Sequence, residues 1–589
     1  MRVSLRLLSL ALFSLMLAAC VSDLDDGSTI RFRFAAPEAG SASPDLDDGQ
    51  TLPGPVESRE ARLVIFDAVL SQNSQVPPKV ELARVVNTPL FADADDHDLD
   101  SHWITRARVE DAHGETLWRQ RVNSLFQLLE FLNLLLEQQA AVNLSANQVY
   151  ALVRQQYRPL TQFAVRVPVG LEGGRDYVLE LAQPDGSWVE LGRFDIDTLL
   201  SQAEPNSVQG QVDTLVEHGP ADDSLDIVIL GDGYTAAERA EFEGDAQAVA
   251  ERILATSPFR EHRDLFNIHL VWTPSGESGA GYDCLRNASG CEQRMRDTIF
   301  ETTFVIPAVA DLFNLDIGEV SDRIALPLQV GRMYEAAALA QYDEVVLLSN
   351  TRKFSGFAGV YAALVTTYDA RQSFPDTVVH ELGHTLGMLG DEYMQPGDPC
   401  FFNEPHIPLP VNIDELNPEE ALSWEHWLSE DTPLPTPPNA SFTYPVGAYE
   451  RTYNCEFLVR PSYTCMMNDS GETFCPVCAE QMVRRFYSAV DPIPNHPLEV
   501  ERISSGELEL RLPRRDARGR YAITWHLGDV LIGQGPRVRL GGRSFEELDQ
   551  SEGWVEMRAN VTNTTDFLAA PHPATHQVFS LWVAREDAP

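Results

Sequence analysis

The chain has 589 residues, a length that predicts about three or four domains, and 44% hydrophobic residues with which to fill them. Its 44 basic groups face 88 acidic ones, and the resulting net charge of −44 repels nucleic acid and anionic lipid surfaces, which excludes a nucleic-acid partner. Acidic runs such as Asp93 to Asp100 contain no complete calcium-loop pattern and read as solvated surface.

Arg2 and Arg6 precede an apolar run from Leu7 to Leu17, too short for a membrane span and right for a secretion signal over residues 1–19. The ending Leu17-Ala-Ala-Cys20 resembles a bacterial lipobox, which implies cleavage before Cys20 and a lipid anchor on its sulfur. Val21 after the cysteine, by analogy with Gram-negative lipoproteins, directs an exported lipoprotein to the outer membrane or cell surface. Residues 20–57 are rich in Asp, Ser, Gly, Pro and Ala and read as a flexible tether, with Ile30 to Phe34 as its one strand-like run.

Residues 58–205 hold strand-like runs, among them Leu63 to Phe66, Trp103 to Val109, Phe163 to Val169 and Tyr177 to Leu181, around a helical stretch from Val122 to Gln156. A β-sandwich with a helical insertion is the expectation. In residues 206–491 the buried-strand run Leu225 to Leu230 ends in a turn at Gly231-Asp-Gly-Tyr234, too short for a phosphate-binding loop. A helix from Thr235 to about Thr256 follows, then a strand Phe266 to Trp272, helical patterning near Ile306 to Phe313, and strands Glu344 to Leu348 and Tyr361 to Thr367. Alternating strands and helices predict an α/β domain. Residues 492–589 contain short, evenly spaced strand runs and predict an immunoglobulin-like β-sandwich.

The most informative stretch is His380-Glu-Leu-Gly-His384-Thr-Leu-Gly387-Met-Leu-Gly-Asp391-Glu392-Tyr393. Residues four apart share a helix face, so both imidazoles can hold one ion, and Glu381 lies beside a water whose pKa a zinc ion lowers to about 7. A chance match in a chain with 14 His is expected on the order of 0.02 times. Ser373 and Pro375 mark the helix start, and Gly387 is expected to end it in a left-handed turn that returns the chain toward the ion. Asp391 is then the third ligand, with Glu392 in reserve.

Seven cysteines follow Cys20. Cys284 with Cys291, and Cys400 with Cys455, are the expected bridges, leaving Cys465, Cys475 and Cys478 to share one more. A redox motif or structural zinc site at Cys475-Pro-Val-Cys478 is the less favoured alternative, because no second Cys-x-x-Cys supplies four ligands.

His380 to Tyr393 resembles the motif of the IgA-peptidase family of zinc metallopeptidases. Gly231-Asp-Gly-Tyr234, Gly276 to Gly281, Ser349-Asn350, Val446 to Glu450, Arg460 to Met467 and Phe474 to Cys478 agree with it in order, over roughly residues 215–490. The resemblance implies that His380, His384 and Asp391 bind one zinc per chain and that Glu381 is the catalytic base. The family is also similar to the metzincins, which implies a methionine turn at Met467, with Met466 as the near alternative. The usual metzincin ligand position is Gly390 here, one residue before Asp391. Tyr393 and Tyr463 are candidate oxyanion donors, and Ser355, Gly356 and the run Gly359 to Ala363 form a candidate substrate-pairing edge strand. The expected whole is a metzincin-like α/β zinc peptidase flanked by two β-sandwich modules, acting on protein or peptide. A surface binding protein or adhesin on the same fold is the alternative.

Overall fold

Apolar runs without alternation belong in strands covered on both faces, and Leu225–Asp232 is buried at every position. It lies third in a six-stranded sheet whose order is Gln211–Val216, Phe266–Trp272, Leu225–Asp232, Glu344–Ser349, Ala363–Thr366 and Gly356–Ala358. The four inner strands run parallel, while the first and last are antiparallel to their neighbours. The structure is a computed structural model that describes residues 22–23, 29–33, 59–69, 79–92, 105–122, 162–182, 187–221, 224–284, 294–304, 324–358, 362–367, 373–394, 409–417, 420–453, 455–490, 499–502, 508–512, 520–540, 555–569 and 576–586. The expected signal segment, Cys20, Cys291, Cys400, nearly all of the Val122 to Gln156 stretch and Ile306 to Phe313 lie outside the described residues. Among the described residues no helix is long and apolar enough to cross a membrane.

The chain divides into two compact units, Glu57–Ala489 and Met1–Val56 with Val490–Pro589. In the larger unit, residues 59–205 build two antiparallel sheets of four strands, apart from one short parallel bridge at Glu204–Pro205. Their buried side chains, such as Ile65, Phe66 and Tyr177, belong to the same apolar cluster as Val228, Met333 and Leu347. Gln162 Oε1 accepts from the Gly331 amide at 3.1 Å, and Arg84 reaches the buried Glu335 at 2.7 Å. The expected segments 58–205 and 206–491 therefore share one core.

In the smaller unit, Thr29–Arg33 pairs antiparallel with His576–Glu586, in a six-stranded sheet that also holds Val555–Asn563 and Tyr521–Leu527. The strand-like run near Ile30, within the segment read as a tether, is a sheet strand. A separate three-stranded sheet contains Glu499–Arg502, Leu508–Arg511 and Arg537–Leu540.

The turn after Leu225–Asp232 organises the top of the parallel sheet. Gly233 has φ of 73°, and a Cβ on it would strike Gly279 O, a conformation and a closeness that exclude a side chain. The fully buried Asp232 accepts from Phe300 N at 3.1 Å, Thr302 N at 2.8 Å and Thr298 Oγ1 at 2.9 Å, fixing the returning loop. The following helix, Arg239–Ala255, buries Phe242, Ala246, Val249, Ala250 and Ile253, one face at helical spacing. It packs beside the helix that carries the two histidines, and Arg252 pairs with Asp376 in that helix's first turn, where an acid is favoured by the helix dipole.

Candidate metal and catalytic site

The motif helix spans Phe374–Thr385, with Ser373 as N-cap and Pro375 at its second position, where a missing amide costs no hydrogen bond. It is buried nearly all round, on Val378, Val379 and Leu382 as well as on His380 and Glu381, so the motif side chains are held by a well-packed element. Gly387 does not make the left-handed turn expected of it. Met388 does, at φ of 56°, and its amide bonds to His384 O at 3.0 Å. Gly387 is needed for closeness instead: a Cβ there would strike Met482 Sδ and Gly383 O. The open carbonyls at this helix end are taken by the C-terminal helix Pro476–Ala489, Arg485 Nε meeting Leu386 O at 2.9 Å and Gln481 Nε2 meeting Gly387 O at 3.3 Å.

That turn brings Asp391 back over the helix. The Nε2 atoms of His380 and His384 each lie 3.1 Å from Asp391 Oδ1. Their Nδ1 atoms face backbone carbonyls, Met466 O at 2.8 Å and Leu389 O at 2.6 Å, which assigns the Nδ1–H tautomer and leaves both Nε2 lone pairs for an ion. Ligand atoms around a tetrahedral ion with bonds of about 2.0–2.1 Å are about 3.3 Å apart, so the three donors fit a divalent metal with little movement. Burial pulls the His384 pKa down, but the Asp391 carboxylate outweighs it and carries it up to about 9; His380 is raised by the same neighbour against the same burial. Asp391 is pushed down by the two imidazoles despite its burial.

Glu381 is buried on the same helix. Burial raises its pKa, the two histidines oppose the rise, and the Ala358 backbone hydrogen-bonds its carboxylate. Ala358 belongs to the antiparallel edge strand Gly356–Ala358, and a Cβ on Gly356 would lie 2.7 Å from Glu381 Oε1. Glu381 and the sheet edge are thus in contact.

The other expected residues divide. Tyr393 stacks on His380, ring centroids 6.2 Å apart. Met466 supplies the carbonyl that orients His380, and the Met467 thioether lies under the helix, where a Cβ on Gly383 would come 2.5 Å from its sulfur. Both methionines are fully buried. Tyr463 is 42% exposed and packs with Tyr449 and Arg460, away from the three metal donors among its described contacts. Glu392 points elsewhere: its Oε1 accepts from Asn412 Nδ2 at 3.0 Å and from Cys478 Sγ at 3.2 Å. Asn412 also clamps Gly390, accepting from its amide and donating to its carbonyl, each at 2.8 Å. No sequence signal marked this asparagine, a lone polar residue between Val411 and Ile413.

Cys284 and Cys455 are disulfide-bonded; the expected partners Cys291 and Cys400 lie outside the described residues. The bridge expected among Cys465, Cys475 and Cys478 is not formed. All three are free, buried thiols gathered around Glu392.

Residues 214–444 match the family model described as IgA Peptidase M64. This central segment is similar to the IgA-peptidase family of metallopeptidases. The M64 match contains the motif helix, Asp391 and Glu392 and ends before Tyr463, Met467 and the three clustered cysteines, which the resemblance had extended to about residue 490. No curated protein matches the chain. A peptidase of this family has protein or peptide as substrate, and its hydrolytic chemistry is the activity that the metal-fitting group and the adjacent Glu381 can perform.

Proposed function

We propose that the chain is a zinc-dependent endopeptidase, tethered to a bacterial membrane through a lipid on Cys20 and acting on extracytoplasmic proteins. The observation that carries the catalytic part is the convergence of His380 Nε2 and His384 Nε2 on Asp391 Oδ1, with Glu381 one residue from the first ligand. Two imidazoles and one carboxylate, with a position left open, form a donor set that suits catalytic zinc. When bound, zinc supplies Lewis acidity and makes a water nucleophilic near neutral pH.

The chain's own residues do the rest. Glu381, its pKa raised by burial, takes a proton from the attacking water and can pass it to the leaving nitrogen. Met466 O and Leu389 O hold the imidazoles in one tautomer, and Met467 fixes the helix from below. The edge strand Gly356–Ala358 offers backbone groups to an extended peptide, which would then lie beside Glu381. Digestion of a broad peptide library, followed by mass spectrometry, tests this reading. Internal cleavages that disappear with chelator and return with zinc are expected; an intact library with the zinc-loaded protein would refute peptidase activity and favour a binding role.

A further inference from the structure

Apart from the histidine group, one other set of His, Cys, Asp or Glu side chains among the described residues could hold a metal: Glu392, Cys465, Cys475 and Cys478. One donor atom from each lies within 4.8 Å of all the others, and all four residues are buried. We propose that they form a second, structural zinc site with three thiolates and one carboxylate as ligands.

The strongest sign is Glu392. It is fully buried, yet its Oε2 has no hydrogen-bond partner. An isolated buried carboxylate oxygen is costly, and such groups are kept where a charge or a metal completes them. Arg460, whose charge acts on Glu392, spends its Nε on Ser462 O at 3.1 Å and its Nη1 on Arg451 O at 2.7 Å. Arg460 can lower the cluster's negative potential but does not cap the free oxygen. The remaining surroundings are thiols. Cys475 immediately precedes the helix Pro476–Ala489 and Cys478 lies in its first turn. Cys465 begins a tight turn, its carbonyl accepting from Asn468 N and Asp469 N at 2.9 Å each, and its sulfur accepts from Cys475 N at 3.3 Å. A turn-borne cysteine facing a Cys-x-x-Cys helix start is an arrangement that structural zinc uses, and soft thiolates select zinc over magnesium or calcium. Sulfur ligands at about 2.3 Å from zinc are about 3.8 Å apart in a tetrahedron, within the span of the cluster.

The site's position gives it a purpose. Glu392 follows Asp391 directly, Cys465 directly precedes Met466, and the Glu392 amide donates to Met467 O at 2.8 Å. A zinc holding Glu392 and Cys465 to the C-terminal helix would lock the segment that delivers Asp391, the carbonyl that orients His380 and the thioether under the motif helix. Because all four donors are enclosed, the ion would stabilise rather than react.

The test uses the purified full chain and its His380→Ala/His384→Ala variant, which removes the catalytic donors. Zinc content and X-ray absorption at the zinc edge are measured on both. The double variant is expected to retain about one zinc per chain with a sulfur-dominated shell at about 2.3 Å, and the unaltered chain to hold about twice as much zinc in a mixed nitrogen, oxygen and sulfur shell. If the double variant does not fold, the sulfur shell in the unaltered chain is the deciding readout. Absence of sulfur ligands, or recovery of any two of Cys465, Cys475 and Cys478 as a disulfide in non-reducing peptide mapping, would overturn the site. Peptide cleavage by a protein lacking sulfur-bound zinc would overturn this inference alone and leave the peptidase reading standing. Sulfur-bound zinc without peptide cleavage would do the reverse.

Discussion

Asp391 and Glu392 are neighbours in the chain and end in different chemistry. Asp391 faces two imidazoles and keeps some exposure, whereas Glu392 faces three thiols and has none. The backbone between them is held by the Asn412 clamp on Gly390 and by the bond from the Glu392 amide to Met467 O. The contrast separates two uses of the same donor type: a group with access can exchange water and substrate, and a closed group can only hold elements together. Gly383 and Gly387 make both possible, because they let the methionines Met467 and Met482 come against the helix that carries the open site.

Substitutions can break the pairing of roles at either acid. His384→Ala should have the largest effect, removing the proposed catalytic zinc and reducing peptide cleavage to background, as read by metal analysis and a fluorogenic peptide. Asp391→Asn should weaken zinc at the histidines while leaving the cysteine cluster's metal, whereas Glu392→Gln should do the opposite at first hand. Because the cysteine cluster would brace the segment that delivers Asp391, Glu392→Gln should still weaken the proposed zinc at the histidines by about 10–100-fold, the usual effect of losing a supporting residue. Zinc titrations of the two variants distinguish the sites. Equal effects of both substitutions on both metals would erase the contrast.

Smaller effects sharpen it. Asn412→Ala strips partners from Gly390 N, Gly390 O and Glu392 Oε1, and should cost about 1–3 kcal/mol in urea unfolding for each buried group left unsatisfied. Gly383→Ala overpacks Met467 and should cost about 1–3 kcal/mol. The metal-free protein should also respond to pH. His384, raised from 6.5 to about 9 in the folded state, contributes stability that is fully present below about pH 6.5 and lost as pH rises through about 9. Asp391, shifted downward, contributes above its ordinary value and loses that contribution in acid. Chelated protein should therefore lose thermal stability between pH 6.5 and 9, while the stabilisation by added zinc grows over the same range because protons no longer compete for the imidazoles. Differential scanning fluorimetry with and without zinc measures both trends.

The open site was legible because its first part is local. Two histidines four apart need only a helix to share a face, and Ser373 and Pro375 announced that helix. The parallel strands were legible for a similar reason, since runs such as Leu225 to Leu230 are apolar at consecutive positions. The choice between Asp391 and Glu392 was not, because it depends on Asn412 and Met467 O, which are distant in sequence. The cysteines misled for the same cause: pairing them by count assigned Cys465, Cys475 and Cys478 a bridge, whereas the fold brings a carboxylate from the motif into their midst. At the helix end, Gly387 is small for the sake of Met482, and Met388 takes the left-handed turn.

The most direct measurement is cleavage of a peptide library by Glu381→Ala protein that has been shown to carry its full zinc complement. The account predicts retained metal and hydrolysis lowered by on the order of 10²–10⁴-fold, the scale of losing a positioned general base. Undiminished hydrolysis by that zinc-loaded variant would contradict it.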